Sequence, residues 1–280
     1  MGKAIGRNEF MVSSASIMGM TLTMIICFAV PITTMAVLKI RKHAQIFLFL
    51  VGISMHLFFV MLLEQLLLNL TVSAFPAMNA VGYSILSAIT AGVFEILEFV
   101  LISKVLRDTL DRGSRALMFG LGHATSNALL SSGLTSLTYY TIAMLVSTEG
   151  AETLTKGLSG EELEAMNQMI QTVTGDFLPF YLSGVEQLLL MAMYGCVAVL
   201  VWMAISSRLP IKWAGIAAVM LAAQRLLLDL GNTGAIPMEW LADLLAAAVT
   251  AAAIVVTRQI YQKIEGNTRH EERLPVRRLR

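Results

Sequence analysis

The sequence predicts an all-α polytopic membrane protein of about seven transmembrane helices, and three observations carry that expectation. Of the 280 residues, 56% are apolar and only 14% charged, with a mean hydropathy of +0.72; soluble domains carry about a quarter charged residues. The apolar residues fall in runs longer than the roughly 18 residues that cross hydrocarbon. No run shows the in/out alternation of a barrel strand, and within lipid a helix is the one single segment that pairs all its own backbone groups. The same composition excludes a soluble globular domain, a disordered chain and a basic nucleic-acid-binding protein.

Seven apolar runs follow one another, at residues 11–38, 44–70, 79–102, 116–146, 177–205, 213–230 and 240–256. Lys3 and Arg7 precede the first run as they would a signal peptide, but its core is too long and no small-x-small site ends it. Most of the 20 basic residues lie after the first, third, fifth and seventh runs: Lys39, Arg41 and Lys42; Lys104, Arg107, Arg112 and Arg115; Arg208 and Lys212; and the tail beyond Arg258. Basic residues near membrane ends stay on the cytoplasmic side, which predicts an outer amino terminus and a cytoplasmic carboxyl terminus. The opposite side carries the acids Glu149, Glu152, Glu161, Glu162, Glu164 and Asp176 in its long loop. Within that loop Ser159-Gly-Glu-Glu-Leu-Glu reads as a helix start, which predicts a short surface helix.

Residues 1–257 are thus expected to form one transmembrane helical domain with an outer loop at 147–176, and residues 258–280 a basic cytoplasmic tail near anionic lipid. Short loops and a compact tail suit a bacterial cytoplasmic membrane. The expected partners are lipid and a membrane protein or peptide, and no nucleic acid. Cys27 and Cys196 both sit inside apolar runs and predict neither a disulfide nor a thiolate metal site. The 18 methionines are scattered without fixed spacing and read as soft packing.

A charge near the bilayer centre costs a few kcal/mol even on lenient scales, so intramembrane ionisable residues are functional candidates. They are His56 and Glu64 in the second run, Glu95 and Glu98 in the third, His123 with Asn127 in the fourth, Glu186 in the fifth, and Arg225 with Asp229 in the sixth. Glu95 and His123 both lie roughly 10 Å from the cytoplasmic ends of their helices at 1.5 Å per residue, so they can meet in an inner-leaflet cavity. Glu98 and Asn127 each stand one turn along the same faces. The glycines of Gly120-Leu-Gly122 let a neighbouring backbone come close beside His123. Arg225 and Asp229, four residues apart, predict a structural ion pair. Glu64, near the outer end of its helix, is expected to snorkel, and His56 has no assigned role.

These segments resemble something known. Ala91-Gly-Val-Phe-Glu95-Ile-Leu-Glu98, Gly120-Leu-Gly-His123-Ala-Thr-Ser-Asn127-Ala-Leu-Leu with Gly133-Leu-Thr-Ser, and Leu182-Ser-Gly-Val-Glu186-Gln are similar to the YhfC family of intramembrane metalloproteases. That family is grouped with the CAAX-processing and bacteriocin-processing proteases, the PrsW proteases and the APH subunit of gamma-secretase. The resemblance implies a Phe-Glu-Glu-x-x-Arg motif, a Gly-His motif followed by Glu, a Glu-Arg pair and a His-Ala-x-x-Asp motif around a metal-bound water. Here Ile96 stands where the second glutamate belongs, Phe99 and Gln187 where the two arginines belong, Asn127 where the glutamate after the histidine belongs and Arg225 where the second histidine belongs.

What the resemblance implies is a zinc-dependent endopeptidase of membrane-embedded peptides. Glu95, His123 and Glu186 would be the metal ligands, Glu98 the base, and Asn127 a donor to the developing oxyanion. The permanent cation of Arg225 repels a divalent metal, so a second expectation is a catalytically inactive relative that binds or scaffolds membrane proteins. A small transporter is a third, which predicts repeats and broken helices.

Overall fold

In the computed structural model, residues 12–273 are described, with side chains described to residue 264. Among them every regular element is helical, and seven helices are long and apolar enough to cross a membrane: Ser14–Lys42, Ile46–Ala74, Ala80–Val105, Gly113–Glu149, Leu178–Ile205, Lys212–Asn232 and Glu239–Ile264. They are called the first to seventh spans below, and each coincides with one of the apolar runs. The seventh helix continues to Arg273, because the residues after Val256 are mostly helix formers and no proline stops them. The first part of the expected tail is therefore helical. Lys3, Arg7 and residues 274–280 lie outside the described residues.

Local chemistry explains the boundaries. Gly82 N–H donates to Asn79 Oδ1 at 2.8 Å, capping the third span. Leu178 N–H donates to Asp176 Oδ1 at 3.1 Å at the start of the fifth. The loop between the fourth and fifth spans holds two shorter helices, Ala151–Thr155 and Gly160–Thr174; Gly150 divides the first of them from the fourth span and Gly157 lies between the two, with φ values of 87° and 85° that suit glycine alone. The second of these starts after Ser159 as expected, although the serine hydroxyl makes no capping bond.

Two spans depart from α geometry. The second is a π-helix over Leu57–Glu64, and the fourth over Leu129–Gly133. Such widened turns occur mostly as single insertions at functional sites. The two segments lie directly after His56 and Ala128, next to the polar residues singled out above.

Contacts divide the chain into two units. One comprises Met1–Ala36 and Thr125–Leu188. Its core joins Met20, Ile142, Ala143, Val146, Ile170, Val173 and Phe180, so the loop helix Gly160–Thr174 packs on the second half of the fourth span, Leu134–Glu149. Thr23 Oγ1 donates to the Phe180 carbonyl at 2.6 Å within it. The other unit comprises Val37–Ala124 and Leu189–Arg280. In it the sixth span packs on the third and seventh, and the third packs on the π segment of the second. A buried bond from Gln224 Nε2 to Thr250 Oγ1, 2.8 Å, ties the sixth span to the seventh.

Candidate functional site

The site of the second unit starts from spacing. Glu95 and Glu98, three residues apart in the third span, share a helix face. Opposite them the fourth span presents His123. The imidazole lies between the two carboxylates: Nδ1 and Glu98 Oε1 share a hydrogen bond of 2.9 Å, and Nε2 stands 3.6 Å from Glu95 Oε2. His123 and Glu98 are 0% exposed and Glu95 2%. In the tautomer with its proton on Nδ1, the ring donates to Glu98 and presents the Nε2 lone pair towards Glu95. The expected facing of a carboxylate and an imidazole from consecutive spans is what the helices produce.

Glycines set this geometry. A Cβ on Gly122 would collide with the Phe49 carbonyl, and one on Gly52 would come within 2.7 Å of the His123 nitrogen. The second and fourth spans therefore touch backbone to backbone beside the histidine. On another face, a Cβ on Gly120 would fall 2.9 Å from the Tyr194 carbonyl oxygen and 2.7 Å from Ala198 Cβ. These approaches bring three rings around His123: His56 edge-on with centroids 4.7 Å apart, Tyr194 at 4.4 Å and Phe99 at 5.2 Å. Tyr194 O–H also donates to Glu95 Oε1 at 3.1 Å. Phe99, at a position where the resemblance calls for an arginine, packs its ring on the imidazole and on Phe119.

Tyr194 carried no sequence signal, since a lone tyrosine in an apolar run reads as packing. His56 now has a place against His123. Glu64 requires a correction. It does not snorkel; it is buried, and Thr90 Oγ1 donates to its Oε1 at 3.5 Å. The helix runs on to Ala74, past the end of the apolar run at residue 70, so Glu64 lies deeper in the span than the run implied. Arg225 Nε and Asp229 Oδ1 are 3.5 Å apart and partly exposed, the ion pair expected from their spacing.

Asn127 and Glu186 belong to the other unit. There Asn127 Nδ2 donates to Gln187 Oε1 at 3.4 Å, Gln187 Nε2 donates to Ser132 Oγ at 2.9 Å, and Ser183 Oγ donates to Ser132 Oγ at 3.0 Å. The two positions at which the resemblance calls for a glutamate and an arginine are thus neighbours, and here a neutral amide pair occupies both. Glu186, next to Gln187, is half-buried.

A metal ion needs donor atoms that nothing else has claimed. His123 Nε2 and Glu95 Oε2 are buried and make no hydrogen bond among the described residues. Their 3.6 Å separation is close to the roughly 3.4 Å between two ligand atoms around a tetrahedral zinc at about 2.1 Å. The pair therefore fits one edge of a metal site. Among the described residues no three or more His, Cys, Asp or Glu side chains are grouped to hold a metal.

The chain matches the family described as YhfC intramembrane metalloprotease over residues 26–246. No curated protein and no solved structure matches it.

Proposed function

The chain belongs to the YhfC intramembrane metalloprotease family, and from that premise we propose that it is a metal-dependent endopeptidase acting on membrane-embedded peptides at the cluster of Glu95, Glu98 and His123. The observation that carries this reading is the buried pair His123 Nε2 and Glu95 Oε2, which face each other 3.6 Å apart and make no hydrogen bond among the described residues. Bound there, a zinc ion would polarise the scissile carbonyl and lower the pKa of a bound water.

The residues take distinct roles. Glu98 holds the imidazole by Nδ1, in the manner of the outer carboxylate of a carboxylate–histidine–metal arrangement. That hydrogen bond suits an orienting group better than the base expected from sequence. Glu95 and His123 offer the two donor atoms. Glu186 is the third ligand the resemblance implies, and its contribution is decided by metal content, not by position. The basic residues after the odd-numbered spans support an outer amino terminus and a cytoplasmic carboxyl terminus, and the short loops and compact tail support a bacterial cytoplasmic membrane.

The test combines metal analysis and cleavage. The purified full chain should hold one zinc per molecule and cut a transmembrane peptide in proteoliposomes, and His123→Ala should lose both properties. Glu186→Gln should lower the zinc content if that residue is a ligand. A folded wild-type protein that takes up no added zinc and cuts no peptide would overturn the reading.

A second reading is favoured by specific observations. Asn127 and Gln187 form a neutral pair, Arg225 pairs with Asp229, and no three donors are grouped among the described residues. A non-catalytic membrane protein that binds or scaffolds others has no need of the charges absent at Asn127 and Gln187, and it tolerates the permanent cation of Arg225. It predicts a folded chain without bound zinc.

A further inference from the structure

The inference concerns a residue with no sequence signal, and it rests on the reading of Glu95 and His123 as metal donors. We infer that Tyr194 is a positioning residue: its hydroxyl fixes which oxygen of Glu95 faces His123.

A carboxylate on a flexible side chain has two equivalent oxygens and rotates freely about its last torsion. In water the choice of oxygen is immaterial. In a buried donor pair it decides how much order must be imposed when the ion arrives. Tyr194 O–H occupies Glu95 Oε1 at 3.1 Å, leaving Oε2 as the atom 3.6 Å from His123 Nε2. The phenol is itself fully buried, and a buried tyrosine hydroxyl normally finds a hydrogen-bond partner. Its ring meanwhile packs on the imidazole at 4.4 Å, so one side chain contacts both donors.

The fifth span lies close against the fourth at the level of Tyr194. Gly120 admits the Tyr194 backbone so closely that an added Cβ would lie 2.9 Å from its carbonyl oxygen, which sets the height of the phenol against the fourth span. Glu98 and Tyr194 thus act as counterparts: one holds the ring through Nδ1, the other holds the carboxylate through Oε1. Outer partners of this kind typically change metal affinity by 10–100-fold when removed.

The experiment measures zinc affinity by calorimetry on the full chain, purified in detergent and stripped with chelator, for wild type, Tyr194→Phe and His123→Ala. Loss of binding in His123→Ala with a tenfold or greater weakening in Tyr194→Phe supports the inference. Loss in His123→Ala with wild-type affinity in Tyr194→Phe overturns it and leaves the metal reading standing. Full binding in His123→Ala, or none in the wild type, overturns the metal reading and the inference together. Where Tyr194→Phe is destabilised but still folds, a metal-free double-mutant cycle with Glu95→Gln is the second measurement. Non-additive changes in unfolding show that the hydroxyl acts through Glu95, and additive changes overturn that.

Discussion

His123 is the residue on which the polar cluster turns, because both of its nitrogens meet carboxylates from one neighbouring helix. Such a cluster of ionisable groups is costly to bury. Glu98→Gln keeps an acceptor for Nδ1 but replaces the carboxylate by a neutral amide, so zinc affinity should fall about tenfold with the fold intact; calorimetry on the chelator-stripped protein measures this. The amide pair of the other unit makes a separate prediction. Asn127→Leu and Gln187→Leu remove opposite ends of one hydrogen bond, and a double-mutant cycle should yield a coupling of about 0.6 kcal/mol, the average for interhelical hydrogen bonds in a membrane. A coupling indistinguishable from zero in unfolding titrations would mean that the 3.4 Å bond contributes nothing.

Among the elements, the contact between the second and fourth spans depends on the absence of side chains. Gly52 and Gly122 face each other's backbones, whereas Gly215 in the sixth span has open space around it. Alanine at these positions should therefore have opposite effects. Gly122→Ala inserts a methyl against the Phe49 carbonyl and should destabilise by about 1–3 kcal/mol or more. Gly215→Ala should be neutral or stabilising by up to about 1 kcal/mol, since alanine is the better helix former. Thermal unfolding in detergent compares the two, and equal losses would show that the close approach is not what holds the spans together. The π segments belong to this scale as well. The one in the second span ends at Glu64, whose carboxylate accepts from Thr90 in the third span.

For the whole molecule, an odd number of spans predicts termini on opposite sides of the membrane, and the basic residues predict which. Cys27 and Cys196 are both buried, so introduced cysteines report sidedness cleanly. In intact cells a membrane-impermeant thiol reagent should label Ser159→Cys in the outer loop and leave Lys212→Cys unlabelled until the membrane is opened; the reverse pattern would invert the topology. Much of this was legible in the sequence. The lengths and composition of the apolar runs determined seven helices, because hydrocarbon thickness and the need to pair every backbone group leave a segment of that kind no other structure. Helix periodicity also determined that Glu95 and Glu98 share a face and that Arg225 meets Asp229. What only the tertiary structure decided was the burial of Glu64, the rings around His123, the hydroxyl of Tyr194 on Glu95 and the pairing of Asn127 with Gln187. These depend on which helix lies beside which and at what height. Glycine contacts set those relations, and they leave no trace in hydrophobic periodicity.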